Sequence, residues 1–189
     1  MNTEQLQNAI LDQFVPGRDS IHGPSHWQRV EAFGLRLAEE TDANVQVIRL
    51  FALFHDACRL NDGADRDHGP RGAELASKWR EKHFSLPDEA FDQLTYACRW
   101  HTTRRLCDDL TTAICWDADR LDLPRIGATV NPYYLNTERA RQLAGAFTDY
   151  LIGTRPADRY ARNARGSPVV RIAAHLAGQP LRHPDPDRP

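Results

Sequence analysis

The chain has 189 residues, with 24 basic and 26 acidic side chains, a formal charge of -2 and 41% hydrophobic residues. That length suits one domain with a substantial core, and the near-balanced charge gives no basic field, so nucleic acid is not an expected partner. No apolar run reaches the ~18 residues of a membrane span, and the opening Met1-Asn2-Thr3-Glu4-Gln5 lacks the layout of a signal peptide. The cysteines Cys58, Cys98, Cys107 and Cys115 form no C-x-x-C pair, so reduced thiols packed inside a cytoplasmic protein are the expectation. Lys78 and Lys82 are the only lysines, leaving 22 arginines. Such a bias fits a GC-rich bacterial genome, and it supplies many planar forks suited to phosphate.

Apolar spacing at Leu6, Ile10, Leu11 and Phe14 predicts a helix over 3–14, ended by Pro16-Gly17. Pro24-Ser25 reads as a start signal with Ser25 as N-cap, opening a helix over 26–40 that turns Val30, Phe33, Leu37 and Ala38 inward. A third helix over 43–58 is apolar around most of its circumference (Val45, Val47-Ile48, Leu50 to Phe54), which predicts a buried central helix. Residues 59–67 are polar and contain Gly63, hence a loop. Further helices are expected from His68 or Pro70 to 83, over 88–101 (Phe91, Leu94, Ala97, Cys98), over 109–122, and over 137–153 (Leu143, Ala144, Phe147, Tyr150, Leu151). Pro124 and Asn131-Pro132 mark an irregular stretch, with a weak strand signal at 128–130. A short apolar run at 169–176 is expected to pack back on the core, and the Pro-rich tail 179–189 to be disordered. The expected class is all-α, with one domain over 1–178.

Chemistry concentrates where histidines meet lone acids. His55-Asp56 closes the most buried helix, where an unpaired carboxylate costs several kcal/mol unless a partner or a metal meets it. Asp117 poses the same problem on another helix, inside Cys115-Trp116-Asp117-Ala118-Asp119-Arg120-Leu121-Asp122. His26 lies at the start of the second helix. Taken singly, each reads as a capping or surface residue; histidine, His-Asp and aspartate on consecutive helices form a rarer combination.

That combination resembles the HD-domain superfamily of metal-dependent phosphohydrolases, whose fold is an all-α helical bundle. Ser25-His26-Trp27-Gln28-Arg29-Val30 is similar to its H-x-x-R-V opening, Leu53-Phe54-His55-Asp56 to its L-x-H-D signature, and Asp117-Ala118-Asp119-Arg120-Leu121-Asp122 to its D-A-D-x-L-D close, over about 20–130. The resemblance implies His26, His55, Asp56 and Asp117 as ligands of one divalent metal. Asp67-His68-Gly69-Pro70-Arg71-Gly72-Ala73 and Ala97-Cys98-Arg99-Trp100-His101-Thr102 are similar to the H-G-x-x-G-A and H-T blocks of the YqeK-like binuclear subgroup, although Thr103-Arg104 departs from the glycine expected after H-T. This makes His68 and His101 candidates for a second ion, with Asp56 bridging. Imidazole and carboxylate donors without thiolate suit Mn²⁺, Fe²⁺, Co²⁺, Ni²⁺ or Zn²⁺ alike.

The implied mechanism is attack on phosphorus by water whose pKa a metal lowers from about 15.7 towards about 7. Charge on the phosphoryl oxygens calls for cations. Arg59 and Arg71 are the candidates beside the catalytic Asp56 and beside His68, and Arg104 and Arg105 are candidates for binding the phosphate of a nucleotide or similar small molecule. Arg120 is expected to pair with Asp119 or Asp122. No general acid is identifiable: Asp62 is a candidate but reads more readily as a turn residue, and His22 is placed at most on the pocket rim. Tyr133 and Tyr134 either stack a base or pack as a lid, and packing is favoured. A non-catalytic ligand-binding module and an HD-fold diiron oxygenase are the alternatives; against the module stands the filling of all the family's ligand positions. Homo-oligomerisation is left open.

Overall fold

The computed structural model describes residues 3–153, with side chains to 145. The apolar run expected to pack back at 169–176, the tail 179–189, the domain boundary at 178 and the inward faces of Phe147, Tyr150 and Leu151 lie outside that description. Among the described residues seven α-helices follow one another: α1 Thr3–Gln13, α2 Pro24–Ala38, α3 Val45–Phe54, α4 His68–Trp79, α5 Asp88–Trp100, α6 Leu110–Leu121 and α7 Glu138–Gly153. Short 3₁₀ turns at Leu123–Ile126 and Pro132–Tyr134 join α6 to α7. Among the described residues there is no strand; a lone bridge joins Arg80 to Phe84.

α3 is the central helix. Val47, Ile48 and every residue from Leu50 to Phe54 are buried, and the helix packs against α2, α4, α5 and α6. The Asn44 side chain starts it by accepting hydrogen bonds from the backbone N–H groups of Gln46 and Val47, which satisfies donors that the first turn leaves open. The apolar wrap begins later than its sequence implied, for Val45 is 40% exposed. Its C-terminal end points His55 and Asp56 into a space enclosed by α2, α4, α5 and α6.

Two glycines bring α4 into that space. A Cβ at Gly72 would stand 2.3 Å from the carbonyl oxygen of Phe54, and one at Gly69 would stand 2.7 Å from that of Cys98. Real Cβ contacts with backbone never come so close. The first turn of α4 therefore seats between the ends of α3 and α5 only because these positions lack side chains, and His68 at its tip meets His55-Asp56 and His101.

Several expected boundaries shift. α2 starts at Pro24 with Gly23 as its cap and no side-chain capping bond; Pro24, having no N–H to satisfy, suits the first helical position, so Ser25 already lies inside the helix and is not the N-cap. α4 stops at Trp79, four residues short of its expected end, where Arg80 turns extended and Glu81 takes a positive φ of 63°. Residues 128–130 form no strand: among the described residues none pairs with them, and Val130 buries itself into the helical core instead.

Candidate metal centre

Five helix ends contribute to one buried cluster. His26 comes from the first turn of α2, His55 and Asp56 from the end of α3, His68 from the start of α4, His101 from the end of α5, and Asp119 from the last turn of α6. All but Asp119 are almost fully buried, at 0 to 4% exposure.

Asp56 divides the cluster. Its Oδ2 lies 3.6 Å from His26 Nε2 and 3.7 Å from His55 Nε2, while Asp119 Oδ1 stands 3.4 and 3.7 Å from the same two nitrogens. Its Oδ1 lies 3.2 Å from His68 Nε2 and 3.8 Å from His101 Nε2. Within each histidine pair the Nε2 atoms face each other, at 3.0 Å for His26 and His55 and at 2.9 Å for His68 and His101. Donors each about 2.1 Å from one ion stand about 3.0 Å apart at octahedral and about 3.4 Å apart at tetrahedral angles. The shorter separations in each group match those edges, and the longer ones, at 3.6 to 3.8 Å, exceed them by a few tenths of an ångström.

The tautomers show what fits between them. His26 Nδ1–H donates to Asp122 Oδ2 at 2.7 Å, His55 Nδ1–H to the Phe51 carbonyl at 3.0 Å, and His101 Nδ1–H to the Cys98 carbonyl at 2.7 Å. His68 Nδ1 likewise meets the carbonyl of Asp65. With every Nδ1 hydrogen so committed, a neutral pair would point two Nε2 lone pairs at each other, and a cation is what reconciles them. The titration pattern agrees. Burial drives His55 down to about 3 against the pull of Asp56 and Asp119, and burial with the nearby His101 lowers His68. Burial also opposes charge on His26 and His101, yet Asp119 and Asp122 outweigh it at His26, and Asp56 at His101, so both are raised. One histidine in each pair thus favours a proton. Burial alone would raise Asp56, but His55, His101, His22 and His26 around it hold its carboxyl well below the usual range; Asp119 is lowered in the same way, chiefly by its hydrogen bond to His26. The donor set fits divalent metal in both groups.

A ring of polar side chains orients these donors. Asp122, fully buried, also accepts from Arg29 Nε at 2.7 Å and Nη2 at 3.0 Å, which explains why the arginine follows His26 by three residues. Arg59 is 7% exposed and sets Nη1 3.1 Å from His68 Nδ1, 3.2 Å from its Nε2 and 3.4 Å from Asp56 Oδ1.

Other candidates lie elsewhere. Asp117 is not in the cluster. Its carboxylate accepts four bonds of 2.7 to 2.9 Å, from the backbone and side chain of Asn136 and of Thr137, and so anchors the segment that enters α7. Two residues along a helix turn a side chain by about 200°, so Asp119 faces the histidines where Asp117 was expected. Arg71 donates to both Asp65 oxygens at 2.6 Å and to the Cys58 carbonyl at 3.1 Å, folding the 59–67 loop. Asp62 accepts from Ser20 Oγ. That contact helps fix a residue the sequence placed only on the rim: His22 is buried, with Nδ1 2.8 Å from Asp56 Oδ2 and 3.1 Å from Arg125 Nη2. It precedes α2 in a turn, so no helical spacing pointed to it.

From His101 and Asp119 a cavity of about 450 Å³ opens, lined further by Arg104, Arg105, Arg120 and Tyr134. Sites for small molecules span about 300–1,000 Å³. Arg105 lies over the Tyr133 ring at 4.2 Å and Arg104 over Trp100 at 5.2 Å. Tyr133 and Tyr134 are 63% and 49% exposed, so they do not pack as the favoured reading had it; Val130 and Leu135 fill the core from this segment instead.

A helical bundle that gathers buried histidine and aspartate donors at its helix ends is a fold for holding divalent metal. The HD domain model matches residues 25–123, and the chain belongs to the HD domain family. Its structure is similar to that of a predicted HD superfamily hydrolase from an uncultured Thermotogales bacterium, with a TM-score of 0.62 and 28% identity over 79% of this chain and 86% of that one. No curated protein matches the sequence. Among the described residues no helix is long and apolar enough to cross a membrane.

Proposed function

We propose that this protein is a metal-dependent phosphohydrolase, acting in the cytoplasm on a phosphate ester or anhydride of a nucleotide or similar small molecule. The observation that carries this reading is Asp56: one buried carboxylate whose two oxygens each face a separate pair of opposed imidazoles, beside a cavity walled by arginines. His26, His55, Asp119 and Asp56 Oδ2 would hold one ion; His68, His101 and Asp56 Oδ1 would hold a second. Mn²⁺, Fe²⁺, Co²⁺, Ni²⁺ and Zn²⁺ all suit these donors. A divalent ion bound there supplies Lewis acidity, which makes water a better nucleophile near neutral pH and offsets charge on phosphoryl oxygens.

The protein's own residues do the rest. Arg104 and Arg105, on the cavity wall next to His101, bind the phosphate-bearing substrate. Arg59 places positive charge beside Asp56 Oδ1, where charge would build in the transition state. Asp122 fixes the tautomer of His26, and the Phe51 and Cys98 carbonyls fix those of His55 and His101, so the donors need no reorganisation. The buried setting strengthens each of these interactions. A hydrolase function also agrees with what the similar Thermotogales protein is called.

The test is phosphate release by protein loaded in turn with Mn²⁺, Fe²⁺, Co²⁺, Ni²⁺ and Zn²⁺, against a panel of nucleotides and small phosphate esters, with Asp56→Ala alongside. Metal-dependent turnover that falls more than about a hundredfold in folded Asp56→Ala is the expected result. Metal bound without turnover across the panel would count against a hydrolase, and a coloured iron centre that responds to oxygen would replace it with an oxygenase. No metal bound at all would overturn the ligand set.

A further inference from the structure

Arg120 follows Asp119 on α6, and its guanidinium makes its hydrogen bonds to main-chain carbonyls. Its Nη1 donates to the carbonyls of Arg105 at 2.6 Å and Tyr134 at 2.5 Å, and its Nη2 to those of Arg104 at 2.7 Å and His101 at 3.4 Å. The expected ion pair with Asp119 or Asp122 is not what the side chain makes; Asp122 is occupied by His26 and Arg29. Four Nη hydrogens meet four carbonyl oxygens, so the fork has no terminal N–H left to offer a ligand.

The four carbonyls belong to two segments that lie outside the α-helices. Residues 101–105 leave the end of α5 and carry Arg104 and Arg105; residues 129–134 follow the 3₁₀ turn after α6 and carry Thr129, Val130, Asn131 and Tyr134. These two segments supply most of the wall of the 450 Å³ cavity. One guanidinium therefore ties both walls of the cavity to α6, one residue from Asp119 and at the carbonyl of His101 itself.

We propose that Arg120 is a positioning residue that sets the distance between the cavity walls, and thereby substrate affinity, without touching the substrate. The inference rests on reading the cavity as the substrate site. Lysine would keep the charge at 120 but cannot span four carbonyls, since its ammonium is one point with three donors. Charge and bracing are thus separable by Arg120→Lys and Arg120→Gln.

The experiment compares the two variants with wild type in three measurements: metal content, hydrogen exchange of the 101–105 and 129–134 amides, and steady-state hydrolysis of bis(p-nitrophenyl) phosphate, a generic ester probe. If Arg120 braces the walls, both variants keep wild-type metal content, exchange faster in both segments while α3 is unchanged, and show KM raised about tenfold with kcat within about threefold. Unchanged exchange in the two segments overturns the proposal. So does an Arg120→Lys protein that behaves as wild type while Arg120→Gln fails, because charge would then be the operative property. Should wild type not cleave the ester, the phosphohydrolase reading loses support, and the exchange comparison alone still decides whether Arg120 braces the walls. If glutamine prevents folding, the lysine variant carries the same test.

Discussion

His68 Nε2 and His101 Nε2 face each other at 2.9 Å, and the Nδ1 atoms of both meet main-chain carbonyls. Facing lone pairs of a neutral pair repel, and either a shared proton or a metal ion relieves them. Replacing His101 by Ala should remove the capacity for metal while leaving His26, His55 and Asp119 in place. The expected outcome is that metal per chain, read by plasma mass spectrometry, falls from two to one, with activity reduced about a hundredfold or more. Unchanged metal content would show that the second group does not bind.

The two acids of α6 separate stability from chemistry. Asp117→Ala leaves the Asn136 and Thr137 donors unpaired at a partly buried position, at an expected cost of about 1–3 kcal/mol in urea unfolding, with metal content kept. Asp119→Ala should do the reverse: wild-type unfolding of the metal-free protein, with loss of the ion held by His26 and His55. The opposite assignment would restore Asp117 as the ligand.

Gly72 tests how α4 is seated. An added Cβ would meet the Phe54 carbonyl at 2.3 Å, and a backbone atom in the core cannot yield as a side-chain tip does. Gly72→Ala should destabilise by about 1–3 kcal/mol and lift His68 away from Asp56. Circular dichroism melting with metal titration would detect both effects; a variant with wild-type metal content would mean that α4 can shift without carrying His68 along.

The pH dependence follows from His26 and His101. Both are raised above 6.5 in the metal-free protein by neighbouring carboxylates, so each retains a proton nearer neutrality than an ordinary histidine, and metal must displace it. Metal uptake in weak buffer should release protons, more at mildly acidic pH than at alkaline pH. Affinity should fall as pH drops through that region and level off above the metal-free pKa values of the two residues. His55, held down to about 3, contributes no proton. A pH indicator dye during zinc addition checks this, and absence of release would contradict the assigned protonation.

Most helices were legible because their faces repeat cleanly, and α3 most of all, since it is apolar all round. Ends were harder. Gly23 and Pro24 moved the start of α2 ahead of Ser25 by backbone geometry rather than by a side-chain cap, and α4 ended where Glu81 turned left-handed. In the site, His26, His55, Asp56, His68 and His101 come together as their motifs implied, while Asp117 does not. Helical geometry held the signal: Asp119 and Asp122 lie within about 60° of each other on α6 and Asp117 lies across from Asp119, so an Asp122 that supports His26 calls for Asp119 beside it. What α6 faces is a tertiary fact, however, and a single helix does not reveal it. His22 was hidden for the same reason, being fixed by Ser20, Asp62 and Arg125 from separate parts of the chain.

The bond from His26 to Asp122 spans 96 residues, and the donors between them come from five different helices. An ion in either group would rivet three helix ends together, because the unfolded chain has no such site. At a thousandfold excess over its dissociation constant it would add about 4 kcal/mol to the native state, a sizeable share of the usual 5–15 kcal/mol. Starvation for the metal would then thin out the protein itself, through faster proteolytic turnover of opened chains, as well as silencing the copies that survive.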